Sequence, residues 1–216
     1  MASKTRFLKR VVYLLCEGGT EKHYFDRYRS SNRLSFTIKP VDVSGGGYAK
    51  MKKEVIRSSG DGAIARVVLI DFDRYYKHSG EVEAFEELLK EISSQNKRGL
   101  PVFLVVSNPD FDDFVLLHDP NYHLQNKSKF LSSIGYKTEG DFKADENVYD
   151  AFNGPHSRCL ENALSRLNPN APFSNKFKFT KSTFTVKNEV TKNPNLFTVR
   201  TSNIKDLFAL IEQLGE

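Results

Sequence analysis

Three short clusters of acidic and polar residues carry the groups that could do chemistry. They are Glu17-Gly18-Gly19-Thr20-Glu21, Asp71-Phe72-Asp73, and Ser107-Asn108-Pro109 with Asp112 and Asp113 close behind. Each follows an apolar, β-branched run: Val11 to Cys16, Ala65 to Ile70, and Val102 to Val106. Carboxylates gathered at one place repel one another, so a hard cation is the simplest partner for them. In an extended strand end alternate residues point the same way. Asp71 and Asp73 can then face one cation while Phe72 turns into the core. Mg²⁺ takes only one or two carboxylates plus waters and substrate oxygens, which such a pair supplies.

Glu17 falls in a strand-to-helix loop, and a carboxylate directly after a buried strand calls for a partner. Glu21 falls in the first helical turn, where it reads either as an ordinary helix-start acid or as a second member of the site. Ser107 and Asn108 stand at the end of their strand as supporting polar groups. Asp112 and Asp113 fall in the turn that follows. His118 is six residues beyond Asp112 and does not share its helix face, so it reads as a polar-network histidine supporting the site. Gly45-Gly46-Gly47 before a helix reads as a plain turn rather than a phosphate cradle.

Positioning these residues requires a sheet. Continuous apolar runs of this length read as strands buried on both faces, as in a parallel sheet. Ligands of such sheets bind outside the carboxyl ends of the strands, where all three clusters sit. Strands are expected near 10–16, 35–43, 64–70 and from 102. Helices are expected near 20–28, 48–59, 81–93, 110–118, 154–167 and 203–214, the last with an Asn203 cap. The alternating order predicts an α/β fold with a mainly parallel four-stranded sheet flanked by helices. Residues 1–120 form the expected catalytic core. Residues 121–216 form a mixed helical and irregular elaboration packed on it rather than an independent domain.

The chain of 216 residues is long enough for one sizeable core. Its net charge of +5 is concentrated in Lys4, Arg6, Lys9 and Arg10 and in a late segment with Lys176, Lys178, Lys181, Lys187 and Lys192. Basic ends around an acidic centre suit a polyanion that meets a metal, although a solvated surface has the same composition. Two cysteines, Cys16 and Cys159, give no disulfide framework or zinc spacing. No run is long enough to span a bilayer and the N-terminus lacks a signal-peptide core, so a cytoplasmic location is the default. Phe177, Phe179 and Val186 alternate with Lys176, Lys178 and Lys187. This predicts a hairpin with Phe packed inward and Lys outward, the other reading being Phe rings presented for base stacking.

The ordered motifs Cys16-Glu17-Gly18-Gly19-Thr20-Glu21-Lys22-His23-Tyr24-Phe25, Asp71-Phe72-Asp73 and Ser107 to His118 resemble those of the RloB-like family, within the topoisomerase–primase (TOPRIM) superfamily. The resemblance covers roughly residues 10–120. The chain departs from it at Asp112, where the family has Glu, at Phe114, where it has Trp, and at Asp119, where an aromatic is usual. The resemblance implies a TOPRIM-like core with Glu17, Asp71 and Asp73 as catalytic residues. It implies Mg²⁺ or Mn²⁺ held by Glu17, Asp71, Asp73 and Asp112, with Asp112 the weakest correspondence. It further implies a nuclease in a bacterial anti-phage defence system, acting on DNA or RNA beside a separately encoded ATPase. Lys176, Lys178 and Lys181 are the expected nucleic-acid contacts. A non-catalytic sensor or adaptor subunit, and an enzyme acting on small nucleotides, are the alternatives.

Overall fold

The four apolar runs become four parallel strands in the computed structural model of the chain, which describes residues 11–60, 62–123, 126–153, 159–169, 171–179, 184–190 and 200–215. They are β1 (Val11–Cys16), β2 (Thr37–Asp42), β3 (Ala65–Asp71) and β4 (Val102–Asn108). A fifth strand, β7 (Thr201–Ser202), pairs antiparallel with Ser107 and Asn108. The sheet order is β2-β1-β3-β4-β7. The sheet is thus five-stranded rather than four-stranded. The added strand is two residues long, too short to leave a hydrophobic pattern.

Both faces of the central strands are buried, which is why their sequences do not alternate with polar residues. Leu14, Cys16, Val67, Leu69, Phe103 and Val105 face one core, while Leu15, Val68, Ile70, Leu104 and Val106 face another. The second core is covered by α2 (Gly47–Arg57) and α4 (Ser79–Lys97) through Tyr48, Met51, Phe85, Leu88 and Ile92. The first is covered by α1 (Gly19–Ser31), α5 (Phe111–Leu116) and the closing α10 (Lys205–Gly215). Four short helices extend that layer: α6 (Lys127–Ser133), α7 (Glu139–Lys143), α8 (Val148–Phe152) and α9 (Leu160–Arg166). The buried Leu131, Phe142, Phe152 and Ala163 anchor them one by one. Of the helix expected over 154–167, residues 154–158 lie outside the described residues.

The chain leaves β1 toward β2 on one side and returns to β3 on the other. The carboxyl ends of β1 and β3 therefore flank a topological switch point, where ligands of open α/β sheets bind. Glu17 and Asp71 stand at those two ends. Past Asp71 the extended run stops: Phe72 has φ −90° and ψ −8°, and Asp73 opens α3 (Asp73–Lys77). The alternation expected to aim Asp71 and Asp73 the same way ends one residue short.

The free edge of β4 is sealed by asparagines instead of a full strand. Asn96 bonds the N–H and C=O of Val102 at 2.7 and 3.0 Å. Asn175 bonds those of Leu104 at 3.0 and 2.8 Å. Asn203 accepts from Val106 N–H at 2.8 Å and donates to Leu104 C=O at 2.8 Å. The Asn203 amide thus serves β4 rather than capping α10. Strands β5 (Phe173–Phe179) and β6 (Phe184–Val190) form the expected antiparallel hairpin. Phe177 packs on Phe103 with ring centroids 5.1 Å apart, while Lys176 and Lys178 are exposed.

Candidate functional site: a carboxylate cluster at the switch point

Glu17 reaches from the end of β1 and accepts the backbone N–H of Asp71 at 2.9 Å through Oε2. Its Oε1 lies 3.4 Å from Arg74 Nε. The Asp71 carboxylate accepts the N–H of Phe111 at 2.8 Å, tying β3 to the start of α5. Tyr48 donates its hydroxyl to the Asp71 carbonyl at 2.7 Å. Glu21, buried in the first turn of α1, curls back over the turn: a β-carbon on Gly18 would stand 3.1 Å from its Oε2. Asp112, in the first turn of α5, is also buried.

Burial raises the proton affinity of this whole group, and mutual repulsion adds to it. For Asp71, burial acts first, followed by the charges of Glu21, Glu17, Asp110 and Asp112, and its carboxyl is pushed well above the usual range. Burial lifts Glu17 to about 7 against the bond from Asp71 N–H and the charge of Arg74. Burial lifts Glu21 to about 8, with Asp112 and Glu17 adding to the effect. Asp112 rises by burial and by Asp110, opposed by Lys143 and Lys127. Five carboxylates from three adjacent strand ends thus share one electrostatic field, and at least one sits where it can exchange a proton near neutral pH.

Cations of the chain are built into the same field. Arg74 is held between Glu17 and Glu81, with its Nη2 3.0 Å from Glu81 Oε1. Glu81 Oε2 accepts Tyr48 N–H at 3.0 Å at the start of α2. A β-carbon at Gly47, whose φ is +55°, would overlap the Glu81 carboxylate. The glycine turn therefore cradles an internal carboxylate and serves as a turn. Lys127 bonds both oxygens of Asp110 at 2.7 and 2.6 Å, and Lys143 Nζ lies 3.4 Å from Asp112 Oδ2.

Glu17, Glu21, Asp71 and Asp112 are brought together. Asp73 is not aimed with Asp71: it starts α3 and pairs with Lys77 at 2.6 Å, adding only its charge to the field at Glu17. Ser107 shares a hydrogen bond with Ser202 at 3.1 Å, and Asn108 pairs with Thr201, so both close the sheet beside the site. His118 is fully buried. Its Nε2 lies 2.9 Å from the Tyr24 hydroxyl and its Nδ1 3.2 Å from the Phe114 carbonyl. Burial lowers its proton affinity to about 4, so it stays neutral and links α1 to α5.

Lys176 and Lys178 lie apart from the carboxylates. Their neighbour Phe177 packs on Phe103 near the start of β4, while the site is at the end of that strand, about 17 Å along it at 3.3 Å per residue. Lys176 instead pairs with Glu189 at 2.9 Å. Lys181, Lys192 and the N-terminal Lys4, Arg6, Lys9 and Arg10 lie outside the described residues.

Arg74, Glu81, Asp110, Lys127 and Lys143 are the site residues that sequence reasoning missed. Arg74 adjoins Asp73 and could have been flagged by that proximity. Lys127 and Lys143 carry no local signal, because only the packing of α6 and α7 brings them to Asp112.

The donor set is all oxygen, which suits Mg²⁺ or Mn²⁺. Asp112 Oδ2 is buried and accepts no hydrogen bond, a polar atom lacking a partner of that kind. Among the described residues, no three His, Cys, Asp or Glu are arranged to hold one metal ion. Mg²⁺ needs only one or two carboxylates, and Asp71 with Glu21 or Asp112 would be the groups to hold it. No helix of the described residues is long and apolar enough to cross a membrane. No family model matches the chain, and no curated protein or solved structure matches it.

Proposed function

We propose that the chain is a Mg²⁺- or Mn²⁺-dependent nuclease of the topoisomerase–primase type, hydrolysing phosphodiester bonds in DNA or RNA. One observation carries this reading: Glu17 and Asp71 meet across the switch point of a mostly parallel sheet, with Glu21 and Asp112 in the same field. A divalent cation bound there would neutralise phosphate charge and supply an acidified water. Asp71, with Glu21 or Asp112 beside it, would hold that cation. Glu17, with its proton affinity near neutrality, is placed to take or give a proton as the phosphodiester bond breaks. Arg74, fixed by Glu81, offers a guanidinium to a phosphate oxygen at the edge of the site. The motif resemblance extends the reading to bacterial anti-phage defence with a separately encoded ATPase.

A second reading, a non-catalytic sensor or adaptor subunit of such a complex, is favoured by the same cations. Arg74, Lys127 and Lys143 already oppose the carboxylate charge from within the protein. Incubation with plasmid, single-stranded DNA and tRNA in Mn²⁺ separates the two. The nuclease reading expects cleavage that Asp71→Asn abolishes without unfolding the chain. The adaptor reading expects no cleavage, with partner binding and biological activity retained in Asp71→Asn and Glu17→Gln. Turnover of mononucleotides without cleavage of polymers would point to a nucleotide-acting enzyme instead.

A further inference from the structure

Lys127 and Lys143 both approach Asp112 Oδ2, at 3.8 and 3.4 Å, but they are held differently. Lys127 is mostly buried and locked by Asp110 at 2.6 Å and Asp113 at 3.5 Å. Lys143 is 53% exposed in its side chain, and its ion-pair partner is Asp112. Its backbone is nonetheless fixed. Thr138 and Asp141 form a reciprocal cap on α7, each accepting the other's N–H at 3.0 Å, and the preceding Phe142 is fully buried. The Lys143 carbonyl lies near the first turn of α1, 3.6 Å from where a β-carbon on Gly19 would be. The ammonium therefore hangs from a capped helix anchored by Phe142, half in water, over an oxygen that accepts no hydrogen bond. It also lies within the field of Asp110 and Asp71.

We propose that Lys143 is an exchangeable counter-cation. It neutralises Asp112 while no metal is bound, and it turns outward to a substrate phosphate when a divalent cation takes that carboxylate. This rests on the reading that the cluster holds such a cation. A divalent cation on Asp112 Oδ2 would repel an ammonium 3.4 Å from that oxygen, and the flexible four-carbon stem of lysine lets the ammonium leave. The released charge would then sit at the exposed rim, free to pair with a substrate phosphate. Lys127 cannot exchange in this way, because Asp110 and Asp113 keep it.

The test is calorimetric titration of Mn²⁺ into the full chain, with oligonucleotide binding measured in parallel. Lys143→Gln removes a competitor and is expected to tighten Mn²⁺ binding by about tenfold. The same variant is expected to bind a short oligonucleotide in the presence of metal a few-fold more weakly, with a salt slope lower by about one. Lys143→Arg and the exposed-surface control Lys129→Gln are expected to keep wild-type values. Mn²⁺ affinity in Lys143→Gln equal to or weaker than wild type overturns the exchange while leaving the metal site standing. A wild-type chain that takes up no Mn²⁺ overturns both.

Discussion

Glu17 Oε2 accepts the backbone N–H of Asp71 at 2.9 Å, so the side chain proposed for proton transfer also ties β1 to β3. The two roles can be separated. A glutamine carbonyl can take the same bond, whereas alanine leaves the Asp71 N–H without a partner. Glu17→Gln is expected to be at least as stable as wild type near neutral pH, and Glu17→Ala less stable by about 1–3 kcal/mol in denaturant unfolding. Both should lose cleavage. Equal stability of the two variants would show that the bond contributes nothing to the fold.

Stability should fall as pH rises through the range where Glu17 and Glu21 ionise. Both have folded proton affinities, about 7 and about 8, above the ordinary 4.5 of an unfolded glutamate. Between those limits the folded chain holds protons that the unfolded chain has released. Their contribution is therefore full below 4.5 and is lost by about 8, at about 1.4 kcal/mol per pH unit for each group. His118 has the opposite sign, since burial lowers it from 6.5 to about 4 and its contribution is lost as pH falls through that window. The decline should be steepest near 6.5 to 7, where His118 has largely stopped offsetting it, and ease above 7 as Glu17 loses its proton. Urea unfolding across this range checks the slope. The double variant Glu17→Gln, Glu21→Gln should reduce it, with Asp71 and Asp112 leaving a remainder of the same sign, and an unchanged slope would count against the shared field.

A divalent cation held by the ionised carboxylates, as proposed, would reverse that trend. Mn²⁺ is expected to raise the melting temperature by several degrees at about pH 8 and by much less at about pH 5.5. Chelation should remove the gain. An equal gain at both values would indicate a cation bound away from these groups.

Asn175 supplies both halves of a missing strand to Leu104, and its own Nδ2 also reaches Asp206 at 2.9 Å. Asn175→Leu leaves the Leu104 N–H unsatisfied at a buried edge. The Leu104 carbonyl keeps its bond from Asn203. A loss of about 2–4 kcal/mol is expected in denaturant unfolding, with increased self-association from the opened edge of β4.

Lys176 and Lys178 face outward, far along β4 from the carboxylates. Replacing both by alanine is expected to weaken nucleic-acid binding and lower the salt slope by about one per lysine, without changing Mn²⁺ affinity. An unchanged salt slope would make the hairpin a solvated face or a protein-docking surface.

The parts of this fold legible in the sequence are those where local composition and final environment coincide. Strands β1, β3 and β4 are buried on both faces, so their interiors are apolar apart from the buried Arg66 of β3, and their boundaries fall within a residue or two of the apolar runs. Glu17 and Asp71 were visible because a carboxylate after such a run is out of character with its surroundings. Asp73 misled because the extended backbone stops at Asp71, a change of dihedral that Phe72 does not announce. Helix α5 begins at Phe111, later than expected. The Pro109 carbonyl instead accepts N–H groups from Phe72 and Asp73, and Asp110 becomes the cap. Short helices α6 to α8 are each held by a few buried side chains such as Leu131, Phe142 and Phe152. With one or two turns apiece they show no periodicity. Lys127 and Lys143, which those helices deliver to the site, were hidden for the same reason.

Anomalous diffraction from crystals soaked in Mn²⁺ tests the cluster most directly. The expected result is a peak about 2 Å from an Asp71 carboxylate oxygen, shared with Glu17, Glu21 or Asp112, and missing in Asp71→Asn. A Mn²⁺-dependent nuclease whose peak lies elsewhere, or a chain that shows none at saturating Mn²⁺, would contradict it.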